Sequence, residues 1–188
     1  MKKIFFIIED LGWCIRCSYN LWLHGPYGLS KVIEKIPYRF IIKYLRKYGA
    51  IIGENCRFER GINIHRPLGK KKPFENLTIG NDVYLGHNIL IDLTEKVVIR
   101  DYVMVGAKCQ LWTHTGYYSG SQINNPDYRE SSGEIFIDEG AIIYSNVIIT
   151  HSVRIGKFAR IGANSLVNKN VPEMTFAGGV PLRIIKVL

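Results

Sequence analysis

The chain has 188 residues, 47% of them hydrophobic, which suffices for one full core and is too short for two ordinary domains. Its 25 Lys and Arg outweigh 16 Asp and Glu, and the net charge of +9 favours an anionic partner: nucleic acid, anionic lipid or a phosphorylated cofactor. Charge alone does not choose among these, and no stretch of the sequence approaches the length needed to span a bilayer.

The N-terminal apolar run Ile4 to Ile8 is followed at once by Glu9 and Asp10 and by no small-residue cleavage site, so the sequence argues against a signal peptide and for a cytoplasmic protein. Residues 10–48 read as helical, within an N-terminal helical segment spanning 1–50. Lys31, Lys35, Arg39, Lys43 and Lys47 recur every four residues beside Val32, Ile36, Phe40, Tyr44 and Tyr48. Such a basic face could make peripheral contact with an anionic membrane; the favoured reading is a solvated stripe on a helix that caps the following domain, with Pro37 interrupting it. Cys14 and Cys17 have the spacing of a redox motif but no strand-to-helix setting and no second ligand pair for zinc, so they read as two cysteines on a helix.

Beyond residue 50 a period of six takes over. Ile137, Ile143, Ile149, Ile155, Ile161 and Val167 recur without a miss, and four positions after each comes Ala141, Val147, Val153, Ala159, Ser165 or Val171, small or β-branched. The same hexad runs through Ile79, Leu85 and Ile91, slips by two residues, and resumes at Ile99, Val105 and Leu111; a weaker round begins at Ile52, Phe58 and Ile64. Period six fits neither an amphipathic helix nor an alternating strand, but it fits triangular coils of three short strands with every sixth side chain pointing inward. Three hexads per coil predict coils at 52–69, 79–96, 99–116, 137–154 and 155–172, with Gly156 and Gly162 turning corners and Cys56 and Cys109 as small core fillers. The expected class is all-β, a parallel β-helix over 51–172 with a tail at 173–188. Two insertions interrupt it, Lys70 to Thr78 and a long loop at 115–135 that is rich in Ser, Gly, Asn and Pro.

Four segments carry a resemblance: Leu77-Thr78-Ile79-Gly80-Asn81-Asp82-Val83, Trp112-Thr113-His114, Ile161-Gly162-Ala163-Asn164-Ser165 and Ala177-Gly178-Gly179-Val180-Pro181-Leu182-Arg183. From about Leu77 to Lys186 the chain resembles the hexapeptide-repeat O-acetyltransferases, which include galactoside, maltose and colanic-acid or capsule enzymes. The resemblance implies a left-handed helix, a homotrimer with sites between neighbours, and transfer of acetyl from acetyl-CoA to an acceptor hydroxyl with His114 as general base. Asp127, Glu130 and Glu134 of the following loop are candidate carboxylates to orient its ring.

The same resemblance implies cofactor contacts at Ser145 and Ala163, 18 residues apart, at Asn168 and Lys169, and at Arg183 and Lys186 for the phosphates. It implies acceptor contacts at Asn88 and Trp112. The paired Asn-x-Asn of galactoside and maltose enzymes is here Gly86-His87-Asn88, and the stretch Ile91 to Ile99 with the helical N-terminus looks more like surface-polysaccharide enzymes. His87 and His151 fall on outward corners without an assigned role. No closely spaced histidine pair of the γ-class carbonic anhydrase kind occurs, so no metal is expected. The expected function is acetyl-CoA-dependent O-acetylation of a sugar in surface-polysaccharide synthesis, the alternatives being an amino-sugar N-acetyltransferase, a xenobiotic acetyltransferase or a non-catalytic scaffold. Nucleic acid is not an expected partner, because the coils carry no interleaved aromatic and basic stripe.

Overall fold

The computed structural model describes residues 2–115 and 131–188. From Ile51 the chain winds into a left-handed parallel β-helix. Its coils are β1 (Ile51–Ile52), β2 (Arg57–Phe58) and β3 (Asn63–His65); β4 (Leu77–Ile79), β5 (Tyr84–Leu85) and β6 (Leu90–Asp92); and β7 (Val97–Ile99), β8 (Met104–Val105) and β9 (Gln110–Leu111). Two more follow: β10 (Ile135–Ile137), β11 (Ile142–Ile143) and β12 (Ile148–Ile149), then β13 (Val153–Ile155), β14 (Arg160–Ile161) and β15 (Leu166–Val167). Every third strand pairs in parallel, giving three faces: β1-β4-β7-β10-β13, then β2-β5-β8-β11-β14 with two later strands, then β3-β6-β9-β12-β15.

The hexad residues fill the prism. From Ile79 to Val167 none of these aliphatic side chains is more than 1% exposed, and the small residues Ala141, Val147 and Ala159 are sealed beside them. Each buried aliphatic of this size contributes about 1.5 to 3 kcal/mol over leaving it in water. At the corner between the second and third faces, Asn88, Lys108, Asn146 and Asn164 adopt left-handed backbone with φ of 56°, 59°, 60° and 57°. Asn tolerates this region because its side chain hydrogen-bonds locally, which explains three of the four. Gly156, expected to turn a corner, has a different reason to be glycine: a Cβ there would stand 2.4 Å from the Glu173 backbone nitrogen on the next coil. Cys109 is buried as expected, whereas Cys56 is only half-buried.

Both ends of the prism are covered. Helix α2 (Tyr38–Lys47) buries Phe40, Ile41, Tyr44 and Leu45 at the first coil, and α1 (Lys2–Ile33), kinked at Gly25 before Pro26, packs beside it and against β3. The basic stripe is exposed, and on α2 it also joins the two helices. Arg39 pairs with Glu9 and Lys43 with Asp10, the Tyr44 hydroxyl donates to the Asp10 carbonyl at 2.7 Å, and Lys47 donates to Cys14 Sγ at 3.0 Å. Opposite charges and apolar neighbours at four-residue spacing let α2 face α1 and the coils together. Burial pushes the Cys17 thiol up to about 11, which leaves it unreactive. At the other end β16 (Thr175–Gly178) extends the second face, and β17 (Arg183–Val187) turns back antiparallel along it.

The period breaks at one corner only. Between the third and first faces, the connections β3 to β4, β6 to β7 and β9 to β10 all exceed the hexad, while Ile149 to Ile155 keeps it.

Candidate active site

Three successive coils meet at that irregular corner. The register pairs His65 with Asp92 and Ile91 with Leu111, so His65, Asp92 and Trp112 each follow an inward aliphatic and stack one above another. Past Trp112 the chain bends inward, burying Thr113 and His114. His114 Nδ1 stands 2.6 Å from Asp92 Oδ2 and 3.1 Å from Thr94 Oγ1.

Asp92 is fully buried. Its Oδ2 accepts the Thr113 backbone N–H at 2.9 Å and the Thr113 hydroxyl at 2.5 Å, and its Oδ1 accepts the Thr94 hydroxyl at 3.0 Å. Burial is the largest influence on this carboxyl and pushes it up; the bonds from Thr113, His114 and Thr94 together outweigh burial and hold it below the usual carboxylate range. An ionised Asp92 keeps a proton on His114 Nδ1, which leaves Nε2 as the nitrogen able to accept one. A histidine so oriented can serve as a general base.

The pH consequence follows from the direction of the Asp92 shift. A carboxyl with a lowered folded pKa adds stability that is complete above the unfolded value of about 3.9 and disappears as pH falls through the folded value. The stability advantage of the wild type over Asp92→Asn should therefore shrink in thermal melts taken from pH 7 down to about 3. A constant gap across that range would mean that the Asp92 carboxyl titrates alike in the folded and unfolded protein.

The expected carboxylates are not the ones found. Glu134 is exposed and makes no bond to His114, and Asp127 and Glu130 lie outside the described residues. In a β-helix the nearest neighbours of a side chain come from the preceding coil rather than from the loop ahead, and Asp92 is 22 residues back. His65 was also not singled out, although its place after Ile64 matches that of Asp92 after Ile91. Its ring lies parallel to His114 with centroids 5.8 Å apart, and its edge meets Trp112 at 5.4 Å. Burial lowers the His65 pKa, against an opposing pull from Asp92. The structure thus joins two histidines that the sequence separates: His65, Asp92 and His114 offer ligand atoms within 4.8 Å of one another, a donor set of the kind a divalent ion uses. As arranged, the Asp92 oxygens are engaged by Thr113, Thr94 and His114.

No family model matches the chain. A galactoside O-acetyltransferase of Lactococcus lactis is 30% identical over 148 residues, covering 76% of this chain and 65% of that protein. The serine acetyltransferase of Bacillus pumilus is 24% identical over 152 residues, covering 81% of this chain and 60% of the relative. The chain therefore spans somewhat less than two thirds of the length of these relatives. A hexapeptide-repeat acetyltransferase from Vibrio cholerae, solved in complex with acetyl coenzyme A, superposes with a TM-score of 0.73 at 20% identity over 88% of each chain. The chain shares the fold of the hexapeptide-repeat acetyltransferases.

The residues that the sequence resemblance singles out fall on two corners and the closing segment. Ser145 and Ala163 are both exposed at the corner between the second and third faces, on adjacent coils, with the Asn164 N–H donating to the Ser145 carbonyl at 3.1 Å. Their short side chains leave the backbone edge open to a thin ligand. Asn88 lies at this corner too, two coils below the Ser145 coil and away from His114. The closing segment abuts the edge, since the Gly179 N–H donates to Ser165 Oγ at 2.9 Å. Asn168 and Lys169 belong to the His114 corner, because Leu111, Ile149 and Val167 are in register. Lys169, Arg183 and Lys186 are exposed and, among the described residues, form no ion pair, so their charges are available to phosphates.

Proposed function

We propose that the protein is an acetyl-CoA-dependent O-acetyltransferase that modifies a sugar hydroxyl during assembly of a surface polysaccharide, working in the cytoplasm as a homotrimer. The observation that carries this reading is the buried His114–Asp92 pair, at a corner where the repeat opens. His114 Nε2 takes the proton from the acceptor hydroxyl while the oxygen attacks the thioester carbonyl. The C–S bond then breaks, and Nε2 returns the proton to the departing CoA thiolate.

The trimer is supported by the separation of the two corners. About six residues of chain at 3.3 Å each lie between the Ser145 and His114 corners of one prism, on the order of 20 Å. A neighbouring copy that supplied one corner opposite the other would bring donor and base together, and cyclic symmetry would repeat that contact. Beside Thr94 an open cavity of about 630 Å³, lined by Lys70, Glu75, Asn76, Glu95 and Lys96 among others, has the size and hydrogen-bonding groups that a sugar requires. The polysaccharide assignment rests on the likeness of the Ile91 to Ile99 stretch and the helical N-terminus to enzymes of that kind.

The test is release of free thiol from acetyl-CoA in the presence of a panel of sugar acceptors, with sedimentation velocity on the same sample. Ala163→Trp should weaken CoA about tenfold or more, equivalent to about 1.4 kcal/mol, with stability unchanged within about 0.5 kcal/mol because the site is exposed. Unchanged CoA affinity in calorimetry would remove Ala163 from the donor path. A monomer with full activity would end the shared-site proposal.

A further inference from the structure

Ile4, Ile8, Leu11, Ile15 and Trp22 of α1 are 64, 62, 59, 61 and 80% exposed. Steps of three, four and seven residues put them on one side of the helix, in a stripe about 27 Å long at 1.5 Å per residue. Phe5 and Ile7, 72 and 58% exposed, widen its N-terminal end. Single exposed apolar residues are ordinary on a surface, but a continuous stripe of this extent marks a surface that something covers.

We infer that α1 lies flat in the interfacial layer of an anionic membrane, with this stripe against the lipid. Charge points that way. The acids of α1, Glu9 and Asp10, turn toward α2 and are neutralised by Arg39 and Lys43, so the outer face carries no negative charge. An exposed Arg16 flanks the stripe, on a chain of net charge +9. Its width points the same way. A partner helix would cover a narrow seam with charged residues on either side, whereas here the flanking Phe5, Ile7 and Leu23 are themselves apolar and exposed. A broad apolar face with Trp and Tyr near it suits a planar apolar medium. Among the described residues no helix is long and apolar enough to cross a membrane, so the contact is one of lying on the bilayer. The surface differs from the basic face of α2, whose charges are engaged with α1, and it does not depend on the catalytic reading.

The experiment is co-sedimentation of the full chain with phosphatidylcholine vesicles, with and without phosphatidylglycerol, in parallel with light scattering. The wild type should bind the anionic vesicles, and raised salt should weaken binding. The double variant Ile8→Glu, Ile15→Glu should bind about tenfold or more weakly while keeping its helical circular dichroism and its oligomeric state. Should that variant misfold, Trp22 serves instead: its fluorescence, obtained by difference from Trp22→Phe, should shift to the blue and be quenched by brominated lipid. Failure of the wild type to sediment with anionic vesicles overturns the inference. So does a double variant that dissociates while still binding vesicles, which would assign the stripe to a second copy of the chain.

Discussion

His114→Ala should lower kcat by about 10²-fold or more, the effect expected of a lost general base, while CoA still binds with its normal affinity. The proposed cofactor edge at Ser145 and Ala163 lies across a whole face of the same prism from His114, so the truncation removes none of its groups. The truncation leaves Asp92 with its bonds from Thr113 and Thr94, and the variant should fold. Single-turnover kinetics beside calorimetry with CoA will separate the two effects. Near-normal turnover would take His114 out of the mechanism, and loss of CoA binding would mean that the two corners are coupled.

Asp92→Asn should also be severe, with kcat down by roughly 10² to 10⁴, the upper end being the drop that the same substitution causes in a serine-protease triad. The amide oxygen can still accept from Thr113, so the fold loses little. The amide nitrogen, however, would donate to His114 Nδ1 and move the ring proton to Nε2, the position that has to be empty for base catalysis. The substrate KM should change much less than kcat, since Asp92 is fully buried and touches the acceptor only through the histidine. A variant with unaltered kcat would show that the ring is oriented by Thr94 alone.

The prism was legible in the sequence because its physical cause is local and repeated. One inward aliphatic every six residues gives a pattern that no other regular structure produces, and the residues from Ile79 to Val167 that carry it are those the structure seals. The site was half legible. His114 stands where a recognisable segment ends, but its partner Asp92 could be found only by carrying the coil register across the two-residue slip that follows Ile91, and His65 only by carrying it across the Lys70–Thr78 insertion. That slip is itself informative: the extra residues after Asp92 let the chain sag so that Thr94 reaches the imidazole. The ion pairs made by the basic face of α2 were hidden for the opposite reason. Four-residue spacing reveals a face but not what opposes it, and the acids of α1 that neutralise Arg39 and Lys43 lie about thirty positions earlier.

A stack of identical coils has no intrinsic reason to stop, because its last rung offers the same unpaired edge that received it. In this molecule the apolar side of α2 packs on the first coil at one end, and on the second face of the other end β17 runs backwards along β16 and presents Arg183 and Lys186. A reversed, charged strand cannot serve as the template for another right-way coil. On that face the C-terminal residues thus act as a chain terminator in the polymer sense, blocking the addition of a further coil in register.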